Sequence, residues 1–195
     1  QPRPGEQVTV AVPEADTATD ADVTEALDQA AVGVPARWSS RAGAFVVDVF
    51  ARCIVGWRVS TTMRTDFVLD ALEQALHARQ PARDSPLIHH SDRGSQYLSI
   101  RYSERLAEAG IESSVGSRGD SYDNALAETI NGLYKAELIH RRAPWRTREA
   151  VELATLEWVA WFNTQRLLEP IGYIPPAEAE ANYYRQLASP VAMAA

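Results

Sequence analysis

The sequence predicts an α/β domain, a mixed sheet flanked by helices, on three observations. Two short β-rich runs, Phe45 to Phe50 and Cys53 to Val59, are joined by a tight connection. An apolar run, Leu87 to His90, stands alone between helical stretches, and helical periodicity fills most of the chain after Thr65. A hairpin, a helix, a strand, a helix and then longer helices is the element order of a mixed sheet with helices on its faces.

Taken in order, the two first runs read as a hairpin, rich in β-branched and aromatic residues. Thr65 caps a helix whose Val68, Ala71, Leu72, Ala75 and Leu76 recur at helical spacing, and Asp66 suits the positive end of its dipole. This helix is expected to cover the hairpin. Pro81 to Pro86 breaks it, and Leu87 to His90 has the length and content of a buried strand ending at Asp92. Ser99 caps a helix that runs to Ala109 and closes at Gly110. Ile111 to Val115 reads as a short edge strand, and Gly116 to Asp120 as a loop leading into a helix from Ser121 through Glu128.

Thr147 opens the next helix, whose Val151, Ala154, Thr155, Trp158, Trp161 and Phe162 form one broad apolar face. Pro170, Pro175 and Pro176 end it, and Ala177 to Gln186 adds a short terminal helix. Residues 1–42, rich in Ala, Asp, Thr, Val and Pro without a sustained period, read as an irregular arm; residues 43–187 form the folded core and 188–195 a tail.

The 195 residues, 46% hydrophobic, suffice for one good core. No apolar run approaches the ~20 residues of a membrane span, nothing resembles a signal peptide, and the single Cys53 suits a reducing compartment. A cytoplasmic protein with no membrane partner is therefore expected. The net charge of −7 argues against a generic nucleic-acid binder. It is unevenly placed: residues 1–42 hold seven acids and three arginines, leaving 19 acids against 16 bases afterwards. Arg141, Arg142, Arg146 and Arg148 cluster around Trp145, a pattern that serves either to grip phosphates or as a solvated turn between helices.

Asp92 closes the apolar strand and Glu128 lies in a helix after a glycine- and serine-rich loop, with 35 residues between them. Carboxylates brought from rigid elements to one rim are what metal-assisted phosphoryl transfer requires. Either residue alone has an ordinary reading, a turn aspartate or a helical glutamate. Glu128, Asn131 and Lys135, the only lysine, fall at i, i+3 and i+7, a stripe that either meets phosphates or is solvated. His89 and His90 point to opposite faces of a strand, which argues against a zinc site. Asp123 reads as a helix cap, and Asp48 as part of the hairpin.

The segments Asp48-Val49-Phe50-Ala51-Arg52 with Ile54-Val55-Gly56-Trp57, His90-Ser91-Asp92-Arg93-Gly94-Ser95-Gln96-Tyr97, and Tyr122-Asp123-Asn124-Ala125-Leu126-Ala127-Glu128 resemble the integrase-like core of bacterial insertion-sequence transposases, a branch of the DDE recombinases that includes retroviral integrases. The resemblance runs from about Phe45 to Gln186. It implies a ribonuclease-H-like fold, a mixed sheet flanked by helices, and a triad of two aspartates and a glutamate holding two Mg²⁺ or Mn²⁺ ions for in-line attack at phosphorus. Asp92 matches the second aspartate and Glu128 the glutamate. The implied partners are double-stranded DNA, as transposon ends and target, and further copies of the chain assembled on it in a bacterial nucleoid. Asn124 matches a position close to the site; Asn131, Lys135, Arg141 and Arg142 are the candidate DNA contacts.

The first aspartate is the departure. The resemblance places it on the first strand, in a pattern of Asp, an apolar residue, Thr and Tyr. Counting back without gaps reaches Ala30, with Asp28 two residues away as the candidate substitute, because a slip of two keeps the strand face. The Thr-Tyr context is missing, and residues 1–42 are expected to be a replaced or frameshifted counterpart of that first strand. Two function classes are therefore expected: a metal-dependent transposase core, or a degenerate, non-catalytic relative that binds DNA or co-assembles with intact transposase. A ribonuclease or repair nuclease on the same scaffold is the third.

Overall fold

The computed structural model describes residues 7–11, 42–60, 65–81, 87–91, 100–115, 121–142 and 144–188. Its center is a five-stranded mixed sheet. The strands are β1 (Gln7–Ala11), β2 (Ala42–Asp48), β3 (Ile54–Ser60), β4 (Ile88–Ser91) and β5 (Glu112–Val115), in the spatial order β3-β2-β1-β4-β5. The hairpin strands pair antiparallel, β2 pairs antiparallel with β1, and β1, β4 and β5 run parallel. β1 comes from the segment that reads as an irregular arm. Its central place means that Thr9 is paired with Val47 on one side and His90 on the other.

β2 alternates between two cores. Ala44 and Val46 pack with Phe67, Val68, Ala71 and Leu72 of α1 (Thr65–Arg79) and with Tyr102 and Leu106 of α2 (Ile100–Glu108). Phe45 and Val47 pack on the opposite side with Ile130 and Tyr134 of α3 (Ser121–Tyr134) and with Val151, Trp158 and Phe162 of α4 (Arg148–Thr164). A strand covered on both faces has no polar positions to spare, so Ala44 to Val47 are fully buried. The chain ends the described region in α5 (Pro176–Ala188).

Two contacts hold the hairpin in this sandwich. The register of β2 against β3 shifts at Val55, where Val46 faces Gly56 and Val47 faces Ile54. At Gly56, α1 comes so close that a Cβ would lie 2.2 Å from the Ala71 carbonyl oxygen. On the other side, the Asn163 amide of α4 accepts from the Ile54 N–H at 2.9 Å and donates to its carbonyl at 2.8 Å. That exchange completes the hydrogen bonding at the start of an edge strand.

Trp161 departs from the expected apolar face. It is 41% exposed, and the Arg166 guanidinium lies 5.5 Å from its ring. The remaining residues of that face are buried, with Thr155 accepting or donating to the Tyr134 hydroxyl at 2.8 Å. Among the described residues, no helix is long and apolar enough to cross a membrane.

Candidate nucleic-acid and metal interface

β4 ends at Ser91, one residue before Asp92. Asp92 and Asp28 lie outside the described residues, as do the glycine-rich loop 116–120 and the side chain of Asn124. The framework around them is visible. β4 is held between β1 and β5, and α3, which carries Glu128, crosses the face of the sheet lined by Phe45 and Val47. Glu128 is exposed on that helix. The central strand β1, Gln7-Val8-Thr9-Val10-Ala11, contains no acidic residue.

The expected stripe on α3 is not a single exposed face. Asn131, one turn after Glu128, is 7% exposed, and its Oδ1 makes no hydrogen bond among the described residues. Lys135 is half-buried and begins a π-helical turn, Lys135–His140, that breaks the α spacing.

That turn is held from α4 and beyond. The Glu137 carboxylate accepts from Arg166 Nη1 at 2.6 and 2.7 Å and from the Trp158 indole at 3.0 Å, and the Trp145 indole donates to the Ile139 carbonyl at 3.0 Å. Sequence reasoning missed this lock, because Glu137 and Arg166 are 29 residues apart and neither carries a local signal. Beyond it, Arg141, Arg142, Arg146 and Arg148 are all exposed. Arg142 Nη1 lies 3.7 Å from Glu157, and Arg148 Nη2 lies 2.8 Å from Glu152.

Asp48 has a structural task at the base of the hairpin. It is fully buried, and Oδ1 accepts from the N–H groups of Phe50 and Ala51 at 2.9 and 3.1 Å. Its Oδ2 lies 3.4 Å from Arg79 Nη2, and Arg79 also pairs with Glu180 of α5. Burial beside this charge cluster pushes the Cys53 thiol up to about 12, with Glu180 adding to the effect. His89 is also structural in its contacts: it is wholly buried, and Nε2 lies 2.9 Å from the Tyr102 hydroxyl.

Among the described residues, no three of His, Cys, Asp and Glu come together to hold a metal ion. Asp48 is already occupied by two N–H donors and a guanidinium, and Glu128 belongs to no group of three such residues among the described ones. These residues alone do not fit a two-ion center.

Two profiles of the family described as Integrase core domain match the chain, one over residues 26–121 and the other over residues 109–176. The chain is 63% identical over 144 residues to the transposase for insertion sequence element IS629 of Shigella sonnei, covering 74% of this chain and 47% of that protein. It is 62% identical over 152 residues to a protein named a putative transposase for IS986/IS6110 of Mycobacterium tuberculosis, covering 76% and 55%. The chain thus spans about half the length of the curated relatives it matches. Among solved structures, the catalytic core domain of BIV integrase superposes with a TM-score of 0.62 at 15% identity, covering 94% of this chain and 98% of that one. The HTLV-2 integrase catalytic core domain, solved in complex with magnesium, superposes with a TM-score of 0.58 at 15% identity, covering 91% and 97%.

Proposed function

Given that this chain belongs to the integrase-core family, alongside the insertion-sequence transposases, we propose that it is the catalytic core of a transposase that cleaves duplex DNA at transposon ends and transfers the strands to a target. The observation that carries this reading is the placement of β4. A strand that stops one residue before Asp92 is held inside the sheet, and α3 carries Glu128 across the same sheet. Rigid elements on both sides of a rim are what positioned chemistry on a phosphodiester requires.

In this reading Asp92 and Glu128 are the cation-holding carboxylates, hard oxygen ligands of the kind that take Mg²⁺ or Mn²⁺. Asp28 is the candidate third ligand. Asn124, Asn131, Lys135, Arg141 and Arg142 are candidates for DNA contact, and copies of the chain assemble on the DNA. For Asn131, burial favors support of the helix face from within over a direct phosphate contact. Strand transfer on matched transposon ends with Mg²⁺ tests the proposal: product that disappears in Asp92→Asn and Glu128→Gln supports it, and product that persists in both sinks it.

A second reading has its own observation. The strand that fills the central place of the sheet, Gln7–Ala11, carries no carboxylate. A chain of this kind folds as the family does and binds DNA or joins an intact transposase without turning over. Loss of strand transfer in Asp28→Ala separates the readings in favor of catalysis, whereas a wild-type chain that binds no Mg²⁺ or Mn²⁺ by calorimetry favors the degenerate relative.

A further inference from the structure

The loop after the π-helical turn holds exposed arginines in an otherwise acidic protein of net charge −7. No acid interrupts His140 to Arg148, so like charges sit within a few residues of one another and repel at distances that salt only partly screens. The loop is tied down at two points. Trp145 donates its indole N–H to the Ile139 carbonyl, and the Thr147 hydroxyl accepts from the Ala150 N–H at 3.2 Å as the cap of α4. A tethered cationic loop of this kind is complementary to a polyanion, and it presents its charges at low ordering cost.

The four arginines are not equivalent. Glu157 stands beside Arg142, and Glu152 accepts from both Nε and Nη2 of Arg148 at 3.0 and 2.8 Å. Arg141 and Arg146 make no ion pair among the described residues. Exposed pairs of this kind add little stability. Even so, a carboxylate beside a guanidinium cancels much of the field that an incoming phosphate meets, so the pair has to be shared or broken before it can contribute.

We propose that Arg141 and Arg146 are the phosphate-contacting cations of this loop, and that Arg142 and Arg148 serve α4 instead. The inference rests on duplex DNA as the substrate and deepens it. It replaces Arg142 with Arg146 as the partner of Arg141 and assigns the pair to the phosphate backbone, whose charge attracts a guanidinium whatever the base sequence.

The test is a fluorescence-anisotropy titration of the full chain against two labeled duplexes of unrelated sequence across a salt series. Arg141→Ala and Arg146→Ala are each expected to flatten the slope of log Kobs against log salt by about 0.9, an affinity loss of about eightfold at 0.1 M salt, equally on both duplexes. Arg142→Ala and Arg148→Ala are expected to keep the wild-type slope, and thermal melting of all four variants reports whether the fold is intact. The assignment is overturned if the double variant Arg141→Ala/Arg146→Ala keeps the wild-type slope, or if all four single variants flatten it alike. A chain that performs strand transfer but shows either of those outcomes loses only the arginine assignment. One that binds neither duplex at low salt loses the DNA reading as well.

Discussion

The Tyr102 hydroxyl and His89 Nε2 stand 2.9 Å apart in a wholly buried site that joins β4 to α2. Their rings also meet edge to face at 5.5 Å. The two residues are 13 apart, so one buried bond ties the strand that leads into Asp92 to the helix that follows it. Burial and, to a smaller degree, the neighboring His90 together push the His89 imidazole down to about 4, and burial pushes the Tyr102 hydroxyl up. Both rings are therefore neutral near pH 7.

An acid-stability difference follows from the sign of the His89 shift. The unfolded imidazole takes up a proton near pH 6.5 and the folded one near 4, so between those values the unfolded state binds more protons and stability falls as pH drops. The loss is at most about 3 kcal/mol and levels off below the folded value. Urea unfolding at pH 7 and pH 4.5 checks it: the drop in wild type is expected to exceed that in His89→Gln, and equal drops count against a buried neutral imidazole.

Removing only the hydroxyl tests the bond. Tyr102→Phe leaves the His89 ring nitrogen buried without its partner, at a cost of about 1–3 kcal/mol. The denaturation midpoint is expected to fall with an unchanged slope against urea. A variant as stable as wild type is incompatible with the bond.

The close approach of α1 to β3 makes Gly56 sensitive to the smallest side chain. In Gly56→Ala the new methyl lies 2.2 Å from the Ala71 carbonyl oxygen, which is helix backbone and has little freedom to move. A destabilization of about 3 kcal/mol is expected, read as a lowered melting temperature. Gly132→Ala is the control, since a Cβ there meets nothing within 4 Å.

Arg79 bridges the buried Asp48 carboxylate and Glu180 of α5. Arg79→Met takes the guanidinium away from the buried Asp48 carboxylate and is expected to cost about 3 kcal/mol, while Glu180→Gln costs less because the Asp48 contact survives. Cys53, pushed up to about 12 and only 8% exposed, provides the readout: it should resist a thiol reagent at pH 8 in wild type, and because losing the nearby Arg79 cation would by itself slow the thiol, faster labeling in Arg79→Met reports an opened hairpin end. Equal labeling rates count against the bridge holding this end of the hairpin.

Much of the architecture was legible because it is local. The alternating runs at Phe45 and Ile54, the helical spacing of Val68 to Leu76, the apolar strand before Asp92 and the Thr147 cap each depend on neighbors a few residues away, and each appears as an element in place. The motifs around Asp92 and Glu128 likewise carried the family in their order and spacing, whether or not the chemistry survives.

Tertiary structure decided what depends on distant partners. Gln7–Ala11 becomes the central strand because β2 and β4 offer it free backbone on both sides, a condition that no five-residue window contains. Asn131 is buried and Trp161 exposed because helix packing, rather than periodicity, chooses which flank of a helix meets the sheet. Arg79 finds Asp48 and Glu180, and Arg166 finds Glu137, only once the chain has folded back on itself. Sequence alone determined the elements and the lineage; the lateral pairing of strands and the matching of charges belong to three dimensions, since both are interactions between segments far apart along the chain.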